Sequence, residues 1–463
     1  MAVTPSVSYS ITVRLVVPAG GTAVSQLTTA VELAGGIVTA LDVTASGVDQ
    51  LRIDVTCAAR DTSHADTIVE ALRGVEGVDV HKVSDRTFLM HLGGTIEMAS
   101  KHAIRNRDDL SMVYTPGVAR VSLAIAANPE DARRLTVKRN AVAVVTDGSA
   151  VLGLGNIGPA AALPVMEGKA ALFKRFAGID AWPLCLDTQD VDEIVRTVQV
   201  VAPVFAGINL EDISAPRCFE IEARLRELLD IPVFHDDQHG TAIVVLAALT
   251  NALRVVGKNL ADVRIVMSGA GAAGSAIVRI IVAAGARNVV VADVAGVIHA
   301  NRTPMDRSLQ WIADHTNADR FEGSLKEAVK NADVFIGVSV PDVLDGRDVE
   351  AMADQAIVFA LANPDPEVDP AEARGYAAVV ATGRSDYPNQ INNVLAFPGV
   401  FRGLLDASAS TIEDSMLVAA AQAIASTVKD DELNANYVIP SVFHEEVHKA
   451  VANAVREAAQ GAG

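Results

Sequence analysis

Residues 263–293 leave the fold less freedom than any other part of this chain. Val263 to Met267 is an apolar run that reads as a strand, and Gly269-Ala-Gly-Ala-Ala-Gly274 follows as a turn. Ser275 to Ala284 has helical character, and Val289-Val-Val-Ala-Asp293 is a second strand ending in an acid. A lone glycine motif is a weak signal, but here it has the strand before it and the helix after it that a dinucleotide turn requires. The first glycine permits the tight turn. The second lets backbone amides approach a pyrophosphate at the helix N-terminus, and the third allows close helix–strand packing. Gly269, Gly271, Ala272 and Gly274 are therefore candidate cofactor contacts. Asp293 follows at close to the roughly 20-residue interval expected of an acid that binds ribose hydroxyls. Such an acid repels a 2′-phosphate, so the expected cofactor is NAD rather than NADP.

Strands near Val334–Val338, Ile357–Leu361 and Val379–Ala381 continue this unit into a doubly wound, Rossmann-type sheet. Upstream, strands are expected at Ala141–Thr146, Val200–Ile208 and Ile231–Phe234, with a buried helix from Thr241 to Val256. Helices are also expected over Glu413–Val428 and Phe443–Ala459.

Two acidic pairs stand where strands should end: Glu211-Asp212, and Asp236-Asp237 within Val-Phe-His-Asp-Asp-Gln-His-Gly-Thr. A single acidic pair is more often a solvated surface feature or a helix cap. Two pairs at strand ends can converge on one hard divalent cation, because Mg²⁺ and Mn²⁺ prefer oxygen ligands. His235 and His239 bracket the second pair and invite a zinc reading, but the carboxylate-rich setting favours the hard cation. Lys138-Arg139, Lys174 and Arg175 read as solvated charges.

Residues 8–90 read as a separate small unit. Tyr9, Ile11, Val13, Leu15 and Val17 alternate as a strand does. Pro18-Ala-Gly-Gly21 is a turn, Thr22 caps a helix reaching about Leu33, and Gly35-Gly36 stops it. Strands near Ile37–Thr44 and Leu51–Cys57, a helix over His64–Arg73 and a strand near Val78–Val83 complete a βαββαβ, ferredoxin-like order. On that topology and the Pro18–Gly21 turn, the unit resembles an ACT domain, a ligand-sensing module. The resemblance implies a small-molecule effector and a second dimer interface. The alternative is a structural or dimerising appendage, since fold analogy does not establish function.

The chain has 463 residues, half of them apolar, a globular composition long enough for two to four domains. The expected boundaries are 1–92 for the ACT-like regulatory domain, 93–235 for a catalytic or substrate domain, and 236–463 for the nucleotide domain with its C-terminal helices. A net charge of −19 argues against nucleic acid and anionic membranes as partners. Cys57, Cys185 and Cys218 share no metal or redox spacing and fit a reducing compartment. With no basic-then-apolar start and no uninterrupted apolar run of roughly 18 residues, a cytoplasmic protein is expected.

Three further segments complete a pattern. They are Tyr114-Thr-Pro-Gly-Val118; Val151-Leu-Gly-Leu-Gly-Asn-Ile-Gly158 with Pro164-Val-Met-Glu-Gly-Lys169-Ala; and Ala360-Leu-Ala-Asn363-Pro with Gln390-Ile-Asn-Asn393-Val-Leu-Ala-Phe-Pro-Gly399. With the acidic pairs and the glycine turn, in this order, residues 95–445 resemble malic enzyme of the short bacterial type. The resemblance implies NAD-dependent oxidative decarboxylation of (S)-malate to pyruvate and CO₂, with Mg²⁺ or Mn²⁺. By position, Tyr114 matches the family's general acid and Lys169 its general base. Glu211, Asp212 and Asp237 match its metal ligands, and Asp236 the neighbouring acid. Asn363 and Asn393 match residues that hold substrate or cofactor. Oligomers are general in the family, so at least a homodimer is expected.

One departure stands out. Longer malic enzymes carry an arginine for the substrate carboxylate just before the Leu-Gly-Leu-Gly turn, and Ala150 occupies that place here. Arg384 is a candidate to replace it. Two other functions compete: a malolactic enzyme, which retains NAD and yields lactate, and a non-catalytic metabolite sensor on the same scaffold.

Overall fold

The computed structural model describes residues 5–19 and 22–461, so Gly20 and Gly21 of the first turn lie outside the described residues. The chain divides into two compact units, Met1–Met98 and Ala99–Gly463.

The first unit holds β1 (Ser6–Pro18), β2 (Ile37–Ser46), β3 (Gln50–Ala59) and β4 (Asp79–Asp85) in one sheet of order β2-β3-β1-β4. All three pairings are antiparallel. The helices Ala23–Leu33 and Thr62–Arg73 complete the βαββαβ order. The two-residue period of β1 turns Ile11, Val13, Leu15 and Val17 inward. There they meet Leu27, Val31, Ile68 and Leu72 in one core. Asp61 caps the second helix by accepting from the His64 N–H. Several apolar side chains of the strands remain exposed, among them Ile37, Val43 and Val83.

The second unit is built on two sheets. β5 (Ala141–Thr146), β6 (Asp180–Cys185), β7 (Gly207–Leu210) and β8 (Val233–His235) form a parallel sheet of order β6-β5-β7-β8. β9 (Arg264–Ser268), β10 (Asn288–Asp293), β11 (Gly296–Val297), β12 (Val334–Gly337), β13 (Ile357–Ala360) and β14 (Val379–Thr382) form the other, in order β11-β10-β9-β12-β13-β14. It is parallel except for the two-residue β11, which runs antiparallel to β10. The order reverses across β9, as in a doubly wound nucleotide fold.

The helix Thr241–Val256 is apolar almost all round and buried along most of its length. Such a helix belongs inside a core. One hydrophobic cluster joins it to Val142, Val144 and Phe173 on the smaller sheet's side and to Ile265, Met267 and Ile281 on the nucleotide side. The two sheets therefore share a core, which fixes the loops at their strand ends against one another. By length and composition alone, Arg107–Ala127 and Asp236–Val256 could cross a membrane. The second is mostly buried here, and none of the first is.

Three expected elements differ from the sequence reading. Val200–Ile208 is not a strand: it is the end of the helix Val191–Val201, a 3₁₀ turn Ala202–Val204, and the start of β7. Asp190 caps that helix by accepting from the Glu193 N–H, and Ile194, Val195 and Val198 are its buried face. Helical spacing begun upstream thus overrides the strand preference of the valine-rich run. The helix after the glycine turn starts at Ala272, so Gly274 lies in its first turn. The last helix starts at Val447 rather than Phe443.

Candidate active site

The site lies at the C-terminal ends of β7 and β8. Glu211 and Asp212 follow β7, and Asp236 and Asp237 follow β8. Glu211, Asp212 and Asp237 each place one carboxylate oxygen within 4.8 Å of the others. Ligand oxygens on opposite sides of a Mg²⁺ ion stand about 4.2 Å apart, so this oxygen-only donor set fits a hard divalent cation with little adjustment. Among the described residues no histidine belongs to the group. His239 Nε2 turns to Glu222 Oε1 at 2.6 Å, and His235 is fully buried with Nε2 3.8 Å from Asp237 Oδ2.

Lys169 enters the cluster from the helix Pro159–Ala177. Its Nζ donates to Asp236 Oδ2 at 2.6 Å and lies 2.9 Å from Glu211 Oε1. The ring of Phe397 lies 4.2 Å from the same Nζ. Burial works against the ammonium, but the attraction of Asp236 and Glu211 outweighs it and holds the lysine above its ordinary value. Burial pushes Glu211 up to about 7, with Lys169 opposing and Asp237 adding to the rise. Burial also lifts Asp236 to about 7. Burial and the Asp236 charge push Asp237 up to about 6, although its side chain keeps 35% exposure. Acids crowded in this way gain from a cation placed among them.

Asp236–Gly240 forms a wide π-type turn, a geometry frequent at functional sites. A Cβ on Gly240 would fall 1.9 Å from Asp236 Oδ1, so the close approach of that carboxylate requires glycine. Glu222, on the buried face of the helix Arg217–Leu228, clamps the turn from behind. Its carboxylate accepts from Gln238 Nε2 at 2.9 Å and pairs with His239. Asn393 Nδ2 donates to Asp236 Oδ2 from the far side. The Asp212 N–H donates to Asp237 Oδ2 at 2.9 Å, tying the two acidic pairs together.

The loop after β5 is fastened to the same place. Buried Asp147 accepts from Arg217 and from Ser149, and the Ala150 N–H donates to the Asp212 carbonyl at 3.0 Å. Position 150 therefore lies beside the carboxylate cluster, with only a methyl group to offer.

On the nucleotide side, a Cβ on Gly274 would fall 2.1 Å from the Gly269 carbonyl, and one on Gly269 2.5 Å from the Val338 carbonyl. Nothing stands within 4 Å of the corresponding point on Gly271, so the turn is open to a ligand at the N-terminus of the helix Ala272–Ala283. This cradle fits a dinucleotide pyrophosphate. Asp293 ends β10, where its carboxylate accepts from the Ala295 N–H at 2.8 Å and from Arg302 at 2.6 Å. Asn363 is exposed just past β13. Beneath it, buried Glu367 accepts from the Ser339 and Ala362 N–H groups and joins the loops after β12 and β13.

The structure thus gathers Lys169, Glu211, Asp212, Asp236, Asp237 and Asn393. Tyr114 stands apart: it is 67% exposed, between the helices Arg107–Val113 and Gly117–Ala127, and makes no bond to Lys169. Arg384 is tied to Asp386 at 2.8 and 2.9 Å and to the Pro364 carbonyl. Sequence reading missed Glu222, Gly240, Arg302 and Glu367. Glu222 carried a signal, as a lone acid on an otherwise apolar helical stripe with Cys218, Ile221 and Leu225.

A doubly wound nucleotide sheet sharing its core with a carboxylate–lysine cluster defines a dinucleotide-dependent oxidoreductase. Residues 93–226 match the malic enzyme N-terminal domain, and residues 238–460 match the malic enzyme NAD binding domain. The chain belongs to the malic enzyme family. It is 56% identical over 463 residues to the NAD-dependent malic enzyme of Geobacillus stearothermophilus, covering 100% of this chain and 97% of that one. It is 53% identical to the bifunctional malic/malolactic enzyme of Bacillus subtilis, over 84% of this chain and 93% of that one. The crystal structure of the Thermotoga maritima NAD-dependent malic enzyme superposes with a TM-score of 0.78 at 47% identity, over 81% of this chain and 99% of that one.

Proposed function

We propose that this protein is an NAD-dependent malic enzyme that oxidatively decarboxylates (S)-malate to pyruvate and CO₂. The observation that carries the reading is Lys169 held between Glu211 and Asp236, one side chain away from the oxygen cluster of Glu211, Asp212 and Asp237. Those three acids would hold Mg²⁺ or Mn²⁺. The turn Gly269–Gly274 with Ala272, together with Asp293 and Asn363, would hold NAD. When bound, the cation stabilises negative charge on the C2 oxygen of the substrate, and the dinucleotide takes up the C2 hydride.

The chain's own residues supply the proton traffic. Once Glu211 is committed elsewhere, Lys169 loses part of the attraction that keeps it protonated, and the neutral amine takes the C2 hydroxyl proton. The bond from C3 to the departing carboxylate breaks, and Tyr114 donates a proton to C3. Asp236 and Asn393 fix the position of Nζ, and Asn363 and Asn393 face the substrate. The full-length likeness to the Geobacillus relative favours this reading over a malolactic one.

We further infer a homodimer. None of Arg107–Ala127 is buried in the single chain, leaving Met112, Tyr114 and Leu123 exposed at 67–70%. A second copy covering these helices would enclose Tyr114 where an acid can work. The βαββαβ order of the first unit supports an ACT-like regulatory role with a small-molecule effector. The cytoplasm is the compartment this reading favours.

The experiment is absorbance at 340 nm with malate, Mn²⁺ and NAD, run beside NADP and with pyruvate and lactate assayed. Equal NADH and pyruvate support the proposal. Lactate without NADH would overturn it in favour of the malolactic reaction, and no product at all in favour of a sensor.

A further inference from the structure

A cavity of about 350 Å³ in the second unit is lined by Arg133, Arg134, Arg139 and Arg402, against the carboxylates of Glu130 and Asp406. Four guanidinium groups around one hollow are unexpected on a chain of net charge −19. Arg134 is paired with Asp131 at 3.0 Å. Arg402 is held by Asp406 at 2.7 Å and donates to Asn140 Oδ1 at 2.8 Å. Arg133 and Arg139 make no ion pair among the described residues. Arg139 is exposed, as its reading as a solvated charge expects, and contributes an unpaired guanidinium to the wall of the hollow. The volume lies in the range of small-molecule sites. Guanidinium forks match carboxylate and phosphate oxygens two at a time.

This cavity is separate from the carboxylate cluster. Arg139 stands just before β5 and Ala206, also in its wall, just before β7. The metal-ligating acids follow the other ends of the same sheet. At about 3.3 Å per residue, the five residues from Ala206 to Glu211 span about 16 Å. One element reaches both places. The helix Phe397–Ala407 starts at the ring lying 4.2 Å from Lys169 Nζ and carries Arg402 and Asp406 into the cavity wall. Phe401 on that helix packs 5.2 Å from Phe173, which is on the helix bearing Lys169.

We propose that the arginine-lined cavity is a second anion site, taking a small di- or trianion through Arg133, Arg139 and Arg402, and that its occupancy is felt at Lys169 through the helix Phe397–Ala407. An anion at this place competes with Asp406 and Asn140 for Arg402. The ties that hold this end of the helix in the free protein are then exchanged for contacts to the ligand. A small shift of so short and tightly packed a helix moves Phe397 against the lysine. The helix has little room to absorb the shift within itself, because a Cβ on Gly403 would fall 2.5 Å from the Ala452 carbonyl. The shared chemistry is two or more clustered anionic oxygens, which a phosphate group or a tricarboxylate can present.

The test uses the full-length protein and the double variant Arg133→Gln/Arg139→Gln, neither of whose residues contacts the carboxylate cluster. Inorganic phosphate and, separately, tricarballylate are titrated calorimetrically into metal-free protein. Malate kinetics with Mg²⁺ are then run with and without each anion. The expected result is saturable binding of one anion per chain for at least one probe, weakened about tenfold or more in the variant by the loss of two charge-assisted contacts. The bound anion also changes malate KM or kcat on the order of fivefold, in the wild type only. Which probe binds more tightly distinguishes a phosphate from a tricarboxylate source. Absence of saturable binding, equal binding in the variant, or binding without a kinetic change overturns the proposal. The kinetic arm rests on the malic enzyme reading and the calorimetric arm does not, so failure of one is distinguishable from failure of the other.

Discussion

The Nζ of Lys169 and the Oδ2 of Asp236 stand 2.6 Å apart, with both side chains buried. A buried ion pair is costly to break from one side, because the remaining charge is left without compensation. Asp236→Asn keeps the shape and removes the charge. It is expected to lower kcat about 10²–10⁴-fold, the usual worth of a positioned acid–base group. Glu211 still faces the ammonium at 2.9 Å, so the stability loss should fall short of the cost of about 3–5 kcal/mol for breaking a buried pair outright. Lys169→Met instead leaves both Glu211 and Asp236 without their cation, and should lose more melting temperature than Asp236→Asn while also being inactive. Melting curves and NADH formation on the three proteins check this. A Lys169→Met protein no less stable than Asp236→Asn would show that the pairing is not the source of the loss.

Gly240 sets the position of Asp236 by leaving room for its carboxylate. In Gly240→Ala the new methyl cannot share space with Oδ1, since the ideal Cβ would lie 1.9 Å away. The carboxylate must swing, and Lys169 and Asn393 lose a common partner. Overpacking of this kind costs about 1–3 kcal/mol. The expected signature is a folded protein of lower melting temperature whose kcat falls by about 10²-fold, as small misplacements in active sites produce. Unchanged kcat would remove Gly240 from the account.

Local periodicity explains which parts of this fold were legible in the sequence. The alternation in β1, the all-apolar helix Thr241–Val256 and the strand–glycine–helix unit of residues 263–293 each carry their own signal within one continuous stretch of chain. The helix Val191–Val201 does not, because its Val-Gln-Val-Val end has the β-branched content of a strand, and only the Asp190 cap and the spacing of Ile194, Val195 and Val198 reveal the helix. The acids of the site were visible as strand-end pairs. What holds them was not. Glu222 meets His239 from 17 residues away, and Asn393 meets Asp236 across 157, so these bonds exist only once the shared core has formed. The exposure of Tyr114 was equally invisible, since nothing in Tyr114-Thr-Pro-Gly-Val118 shows that its two helices stay uncovered in one chain.

His448 gives the protein a measurable pH dependence away from the carboxylates. It is buried and stacked on Phe176 at 4.3 Å between ring centroids, and its Nε2 donates to the Val442 carbonyl at 3.1 Å. Burial depresses its folded value below the ordinary 6.5, with the Val442 bond opposing. The unfolded chain then binds the proton more readily than the folded one. The stability owed to neutral His448 is full above pH 6.5 and is lost as the pH falls through the depressed folded value. His448→Phe keeps the stacking and removes the titration. Between pH 7 and pH 5 the wild type should lose more melting temperature than His448→Phe, whatever slope the other groups impose on both. Parallel pH profiles would sink the idea.

In the proposed NAD site, Asp293 and Arg302 would meet the far end of the dinucleotide. An acid at the end of the second nucleotide strand binds ribose hydroxyls and repels a 2′-phosphate, whereas a nearby arginine accommodates the phosphate. This chain carries both, paired at 2.6 Å with side chains 17% and 18% exposed. On this reading the Asp293 charge offsets the guanidinium and would favour NAD. Asp293→Ser removes the acid, leaves a short hydroxyl for the ribose, and frees Arg302 beside the position of the 2′-phosphate. The expected outcome is a rise in the KM for NAD together with a fall in that for NADP, shifting the ratio of kcat/KM values by on the order of 10²-fold, as gain of a charge-assisted contact and loss of a repulsion would give. Adding Arg302→Ala to that variant should abolish the gain with NADP and leave the NAD values of the serine variant little changed. An NADP gain that survives without Arg302 would assign the discrimination to Asp293 alone.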